Sequence, residues 1–469
     1  THTSYTQLPL FSKMGQVLGT ICIKACCDPC GGYCLSQEVP WLPGHITASR
    51  LTQWLRESGG LEMDNNVKGV QMHAFAIGEG LMSTMYRVTV QYQRPPANGL
   101  RDTFIAKISP PGVKPRIIGD VLNLFGTEVN YYKKGLKSST GMDSPTCYYA
   151  GSTTNGRYCI LLEDLPGKSG KQLDGVSLEH ARQAVRCLAR LHARYLGKTR
   201  SDPTVKDWLL KQDDLAYYEL VKKAYIPASQ TMQDRITNVF KTQKVEGLAD
   251  LSVKFGENYE KWKNLVFRDN QAVNPKSNMR LTLTHGDFRA ENMFFDVPTT
   301  IDLHSGAPKE DSVGMRLVDF QLLKEASGPS ELCYFIGSSL KIEDRKQYEV
   351  ELIRLYHAEL KVNGAEMSML QILLYYQAGL ANGMLINTIA QKDTQLDSAR
   401  AQELCRITQQ RMWSQQQDWN YEAHLDVMFT HTAEEIIGRA WTEEELRSFI
   451  PDKYLALRGV DEVTLSVSN

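Results

Sequence analysis

The sequence predicts an α+β fold in two lobes, a small strand-rich one followed by a large, mainly helical one. Three observations carry this. The chain has 469 residues, above the size at which a single core usually keeps growing. Residues 69–158 hold strand-like runs and one helical pattern. From Ser177 onward, apolar residues recur at helical spacing. With 42% hydrophobic and 23% charged residues, the chain has the balance of a globular protein with ordinary cores.

The elements follow in order. Residues 1–38 are a Cys/Gly-rich extension, and the pattern of a fold begins at Val39. The expected division is an extension (1–38), a nucleotide-binding N-lobe (39–163) and a C-lobe (164–469). Ala48–Glu57 reads as a short helix. Tyr86–Tyr92 alternates Val88 and Val90 with Arg87, Thr89 and Gln91, the mark of a half-buried strand. Phe104–Ile108 and Ile160–Leu162 read as further strands, and Phe125–Tyr132 as a helix. Leu178–Leu196 places Leu178, Ala181, Val185, Leu188 and Leu191 on one helical stripe. His192 lies near that stripe and reads as a packed histidine rather than a ligand. Lys206–Asn264 is charged and helical in character, with Pro227 as a break. Met279–Thr284 and Arg316–Val318 read as short strands, and 298–314 as a hairpin loop. Met367–Gln391 carries no charged residue and is long enough to span a bilayer by count. Its Gln371, Gln377, Asn382 and Asn387 make a buried helical pair the better reading. Trp413, Trp419 and Tyr375 are expected in the core of this region.

The chemistry concentrates in His285-Gly286-Asp287-Phe288-Arg289-Ala290-Glu291-Asn292, followed by Val318-Asp319-Phe320-Gln321. Asp319 comes 27 residues after Asn292. Phosphoryl transfer asks for an aligned hydroxyl, metal ions that neutralise a triphosphate, and rigid oxygen ligands for those metals. Asp287 is placed to accept the hydroxyl proton. Asn292 and Asp319 are placed to hold Mg²⁺. Single Asp and Asn residues are commonly turn caps, but the full string fits that bland account badly.

A nucleotide half lies upstream. Ile77-Gly78-Glu79-Gly80-Leu81-Met82-Ser83 is a glycine-rich turn between two strand-like runs. Gly78 and Gly80 would let backbone N–H groups approach phosphates, with Ser83 where a third glycine often stands. Lys107 sits within the apolar strand that follows, where a lysine is costly to bury unless paired. Glu128, on the next predicted helix, is its natural partner, the pair that orients α- and β-phosphates in kinases. Main-chain groups of Glu163 and Leu165 are placed to read an adenine edge.

His-Gly-Asp-x-x-x-x-Asn with a later Asp resembles the aminoglycoside-phosphotransferase and choline-kinase superfamily. Asp319-Phe320-Gln321, Leu161-Leu162-Glu163-Asp164-Leu165 and Glu331-Leu332-Cys333-Tyr334-Phe335-Ile336 narrow the resemblance to the ecdysteroid-kinase-like (CHK-kinase-like) family. It covers roughly residues 39–458. That family usually has Asp where this chain has Glu331. The resemblance implies a bilobal protein-kinase-like fold, ATP and magnesium dependence, and an acceptor bound over the large lobe. The acceptor it implies is a steroid alcohol or another small lipophilic or amino alcohol.

Other classes fit less well. A protein kinase would carry His-Arg-Asp, Asp-Phe-Gly and an activation segment ending in Ala-Pro-Glu. A nucleotide-binding scaffold without catalysis is the alternative, opposed by the presence of Lys107, Glu128, Asp287, Asn292 and Asp319 together. There is no Gly-x-x-x-x-Gly-Lys-Ser/Thr, His-Glu-x-x-His or Gly-x-Ser-x-Gly string. Fifty-three basic against 54 acidic residues leave a formal charge of −1, with no basic patch to attract nucleic acid.

Five of the ten cysteines cluster at Cys22, Cys26, Cys27, Cys30 and Cys34. The others (Cys147, Cys159, Cys187, Cys333 and Cys405) sit in core-like runs and read as reduced small hydrophobes. No Asn-x-Ser/Thr occurs and no convincing signal peptide precedes the cluster, so a reducing, cytoplasmic setting is expected. The cluster admits three readings. Cys27-x-x-Cys30 with a neighbouring thiol is a partial zinc site. Met14-Gly15-Gln16-Val17-Leu18-Gly19 resembles a myristoylation start, with Gly19 where Ser or Thr is expected, and requires initiation at Met14. Nearby thiols would then add the second acyl anchor that stable membrane association needs. The third reading is a thiol-bearing extension without fixed structure.

Overall fold

The computed structural model describes residues 39–75, 83–136, 142–166, 168–240, 245–268, 281–295, 315–393, 399–430 and 441–459. Their contacts gather into two units. The first is the described part of Thr1–Lys133 together with Pro145–Asp164; the second is the described part of Lys134–Ser144 together with that of Leu165–Asn469.

The first unit is built on a five-stranded antiparallel sheet. Its strands are β1 (Val67–Phe75), β2 (Thr84–Tyr92), β3 (Thr103–Ile108), β4 (Cys147–Ser152) and β5 (Tyr158–Glu163), in the spatial order β1-β2-β3-β5-β4. Helix α1 (Ala48–Glu57) is capped by Thr47, whose hydroxyl accepts from the Arg50 N–H. It buries Leu51, Trp54 and Leu55 against Val88, Val90, Phe104, Ala106, Ile108, Cys159 and Leu161. Helix α3 (Leu124–Lys133) covers the other face, with Phe125 and Val129 against Tyr158, Ile160 and Leu162. Strand β5 is thus covered on both faces, which is why its sequence is a continuous apolar run without alternation.

One helix is expected between β3 and β4, and two are present. The additional α2 (Val113–Val121) is hidden in sequence by Pro115 and Gly119. Pro115 falls in its first turn, where a backbone N–H has no intrahelical partner to lose.

The second unit is mainly helical. Helix α4 (Leu178–Tyr195) starts at Ser177, whose hydroxyl accepts from the His180 N–H, and buries Ala181, Val185, Leu188 and Leu191. It packs along α9 (Ile342–Val362). Helices α5 (Leu215–Gln230), α6 (Leu248–Glu257) and α7 (Tyr259–Arg268) fill the charged stretch. Pro227 does not break α5. The proline removes a hydrogen bond to the Lys223 carbonyl, but both residues lie on the exposed side of the helix, where that loss is least costly, and the helix ends at Gln230.

Helix α8 (Gly328–Ser339) is buried along its whole length. Helices α10 (Met369–Ala378) and α11 (Leu380–Asp393) are the uncharged stretch, a helical pair within this unit. Gln377 spends its amide on the carbonyls of Trp419 (2.8 Å) and Phe449 (2.6 Å). Among the described residues, no helix is long and apolar enough to cross a membrane. Trp419 is fully buried at the end of α12 (Ala399–Asp418), while Trp413 and Tyr375 are only partly buried.

Two small sheets carry the candidate chemistry. Strand β7 (Thr282–Thr284) pairs antiparallel with β10 (Lys324–Ala326), and β8 (Met293–Phe295) pairs with both β6 (Lys168–Ser169) and β9 (Met315–Leu317). The loop expected at 298–314 lies outside the described residues, and the strands flanking it pair antiparallel.

Candidate active site

The period of two along β3 decides where Lys107 points. Phe104, Ala106 and Ile108 join the core under α1, so Ile105 and Lys107 face α3. There Lys107 Nζ meets Glu128 at 2.9 Å (Oε2) and 3.1 Å (Oε1), with both side chains almost wholly buried, 6% and 1% exposed. The Tyr158 hydroxyl also donates to Glu128 Oε2. The expected pair is therefore formed, and β5 supplies a donor that the sequence did not suggest. Ser83 lies just before β2, whereas Gly78 and Gly80 lie outside the described residues. Glu163 closes β5, and its N–H donates to the Thr146 carbonyl (2.8 Å). That amide is already committed to the chain, so it is not open to a base. Leu165 follows beyond the strand.

In the second unit, β7 leads into His285-Gly286-Asp287. Gly286 has φ +83°, and a Cβ there would stand 2.0 Å from the Leu322 carbonyl oxygen. Only glycine fits this position. His285 is fully buried. Its Nε2 lies 3.1 Å from the Val318 carbonyl, and its Nδ1 accepts the Asp287 N–H at 3.3 Å. Those partners assign the proton to Nε2.

Asp287 is held from three sides. Tyr334 donates to Oδ1 (2.9 Å); Arg289 Nε (3.0 Å) and Asn292 Nδ2 (2.9 Å) donate to Oδ2. Burial, the largest influence on this carboxyl, pushes its pKa up. The Arg289 charge and hydrogen bond, His285 and the Tyr334 hydroxyl outweigh it, and the net direction is down. Asp287 is therefore an ionised, weakly basic carboxylate. Oδ1 accepts one bond where Oδ2 accepts two, so Oδ1 keeps an open acceptor direction.

Asn292 closes a short 3-10 turn (Ala290–Asn292). Its amide nitrogen faces the Asp287 carboxylate and also the Asp287 carbonyl (2.8 Å). Two acceptors demand the NH₂ group on that side, which turns Oδ1 away from Asp287. The Val318 N–H donates to the Asn292 carbonyl (3.0 Å), extending the β8–β9 ladder, so Asp319 follows one residue beyond the position opposite Asn292. Asp319 adopts a left-handed conformation (φ 67°, ψ 68°), which costs about 1–3 kcal/mol and persists only when its surroundings impose it. Among the described residues, no group of three or more His, Cys, Asp or Glu side chains is gathered as a metal cluster. A magnesium site of one carboxylate and one amide oxygen does not need one, because Mg²⁺ takes its other ligands from phosphates and water.

Three residues that hold this loop escaped the sequence reading of the site. Glu331 belongs to a string recognised for its resemblance, yet nothing in the string says what it touches. Its carboxylate accepts from the N–H groups of Gly286 (2.6 Å) and His285 (3.0 Å), and from His192 Nε2 (3.1 Å). His192 is indeed a packed, fully buried histidine, with Nδ1 bonded to the Tyr356 hydroxyl (2.8 Å). Tyr334 lies one helical turn after Glu331 on α8, a spacing that would have put the two on one face had the helix been read. Arg289 stood in plain view inside the catalytic string.

The cysteines of the described region are free. Burial pushes the thiols of Cys147 and Cys187 up to about 12 and that of Cys405 up to about 11, so they are inert. Cys22, Cys26, Cys27, Cys30 and Cys34 lie outside the described residues.

The profile of the ecdysteroid kinase-like family matches residues 77–369, 293 of the 469. The chain belongs to that family. The match spans the glycine-rich turn, Lys107, Glu128 and the catalytic strings, a shorter range than the 39–458 that the motifs suggested. No curated protein sequence matches the chain. Among solved structures, the chain is similar to choline kinase from Cryptosporidium parvum Iowa II, with 10% identity over 84% of this chain and 100% of that one and a TM-score of 0.45. Ethanolamine kinase from Plasmodium vivax shows 10% identity over 73% and 82%, with a TM-score of 0.39. Spectinomycin phosphotransferase in complex with ADP and spectinomycin shows 12% identity over 80% and 100%, again with a TM-score of 0.39. In this chain of the ecdysteroid kinase-like family, the kinase-like α+β fold takes the form of a five-stranded antiparallel unit and a mainly helical one.

Proposed function

We propose that the chain is an ATP- and Mg²⁺-dependent kinase that phosphorylates a hydroxyl group of a small molecule. The observation that carries this reading is the anchored carboxylate of Asp287, ionised, fixed by Asn292, and left with an open acceptor direction at Oδ1. A hydroxyl that donates there is oriented for in-line attack, and Asp287 takes its proton. A carboxylate with a lowered pKa is a weak base. Such a base suits a loose transition state, in which the proton moves late and positioning supplies most of the catalysis.

The other residues divide the nucleotide between them. Lys107, held by Glu128, to which the Tyr158 hydroxyl also donates, would neutralise the α- and β-phosphates. Gly78, Gly80 and Ser83 would offer backbone N–H groups to phosphate oxygens. The Glu163 carbonyl and the Leu165 main chain would meet the adenine edge. Asn292 Oδ1 and the Asp319 carboxylate fit Mg²⁺ as hard oxygen donors, and the metal, when bound, supplies charge neutralisation across the phosphates. Residues 39–163 would form the nucleotide-binding lobe and 164–469 the catalytic and acceptor lobe. Family membership supports a steroid alcohol or another small lipophilic or amino alcohol as acceptor.

The test is incubation with Mg-ATP and a panel of ecdysteroids, other steroid alcohols and amino alcohols, with mass spectrometry for a phosphorylated product. The Asp287→Asn variant serves as control. A product formed by the wild type, with turnover falling about 10²–10⁴-fold in the variant, is expected. Nucleotide binding without Asp287-dependent turnover would instead establish the catalytically inactive scaffold.

A further inference from the structure

Arg289 has no task in the reaction proposed above, yet its geometry is specific. A guanidinium carries five N–H donors in one plane. Three are engaged here: Nε with Asp287 Oδ2 (3.0 Å), and Nη1 with Glu291 Oε2 (2.7 Å) and Gln172 Oε1 (3.0 Å). These bonds fix the plane, and among the described residues none accepts from Nη2. The Gln172 side chain is itself held, because its Nε2 donates to the Ser338 carbonyl (3.2 Å). Covalent geometry sets Nη2 on the edge of the plane next to Nε, so its donors run beside the Asp287 carboxylate. The side chain is 24% exposed, open to a ligand but mostly desolvated.

We infer that Arg289 is a catalytic residue whose Nη2 donates to the oxygens of the γ-phosphoryl group while it passes to the hydroxyl on Asp287. The inference rests on the kinase reading of the site. In that step the acceptor oxygen forms a bond to the γ-phosphorus. The bond from that phosphorus to the β–γ bridging oxygen breaks, and its electron pair leaves with ADP. The hydroxyl proton goes to Asp287. Arg289 changes no bond. It supplies fixed positive charge where the transferred group spreads negative charge over its equatorial oxygens, and a planar fork suits those oxygens better than a flexible ammonium. The same guanidinium steadies the base through Nε, so base and phosphoryl group are registered on one rigid plane.

Calorimetric titration tests this without a known acceptor. Wild-type protein is titrated with Mg-ADP alone and with Mg-ADP plus aluminium fluoride, a mimic of the transferred phosphoryl group. A tighter complex with the fluoride is expected. Arg289→Gln should lower that gain about 10²-fold, the size of one preorganised donor contact, while Mg-ADP affinity stays near wild type; losing the cation between Asp287 and Glu291 should also lower the melting temperature, so both titrations are run where the variant remains folded. Arg289→Lys keeps the charge without the fork and should fall between. Guanidinium ion at low millimolar concentration should restore part of the gain to Arg289→Gln. Full retention of the gain in Arg289→Gln overturns the inference, as does wild-type protein that binds Mg-ADP but gains nothing from the fluoride. If Arg289→Gln misfolds, Arg289→Lys decides, and wild-type gain in that variant overturns the fork. Wild-type protein that does not bind Mg-ADP at all overturns the kinase reading itself.

Discussion

The carboxylate of Glu331, on α8, accepts the backbone N–H groups of both Gly286 and His285, at 2.6 and 3.0 Å. With His192 Nε2 it collects three donors on two oxygens in a site only 6% exposed. The glycine conformation that swings Asp287 into place is therefore held by a side chain 45 residues away in sequence. Glu331→Gln keeps the shape but must turn an NH₂ group toward one of these N–H donors. An unsatisfied buried group costs about 1–3 kcal/mol. Lower thermal stability and lower turnover together are expected from melting curves and ATP-turnover assays. Glu331→Gln with unchanged turnover and melting would show that the clasp does not hold the loop.

Lys107 and Glu128 are both buried, so their loss mixes structural and functional effects. Lys107→Met alone leaves the buried Glu128 carboxylate without its cation, at a cost of about 3–5 kcal/mol. The double variant Lys107→Met/Glu128→Gln removes both charges while Gln keeps a partner for the Tyr158 hydroxyl. It should recover most of that stability in denaturant unfolding. Nucleotide affinity should not recover, because the lysine proposed to meet the α- and β-phosphates is gone. Wild-type affinity in the stable double variant would reduce the pair to a structural role.

Asp319 combines a charge with a left-handed backbone, and an alanine there would disturb both. Asn tolerates that conformation better than most residues, so Asp319→Asn isolates the charge. Melting temperature should stay close to wild type, while Mg²⁺-dependent nucleotide affinity falls at least about tenfold, as expected for a metal held to phosphates by this carboxylate. Calorimetry with and without Mg²⁺ measures this. Unchanged Mg²⁺ dependence would mean that Asp319 holds no metal.

What the sequence made legible was whatever depends on period and on short strings. The alternation in β2, the apolar stripe of α4 and the loop from His285 to Asn292 could all be read directly. The Lys107–Glu128 pair was legible because burying a lysine in a strand demands a partner. Glu331, Tyr334 and Gln172 were not, because their roles come from packing between residues distant in sequence. Helix α2 and the unbroken α5 were missed for another reason. Proline is disfavoured in helices on average, but in a first turn, as at Pro115, or on an exposed helix face, as at Pro227, the loss is smaller.

Asp120, on α2, offers a test of the first unit that does not involve the site. Burial pushes its pKa up from 3.8 to about 6, only partly opposed by the Gly156 N–H. The folded state thus binds this proton more tightly than the unfolded chain does. Stability linked to Asp120 is complete below about pH 4, declines as pH rises through about 6, and is fully lost above it. At neutral pH the ionised carboxyl then costs about 1 kcal/mol, once screening by nearby solvent is allowed for. Asp120→Asn removes the charge at every pH. It should raise the melting temperature by about 1–2 °C at pH 7.5 and leave it unchanged near pH 4. A gain of equal size at both pH values would show that ionisation of Asp120 is not its cause.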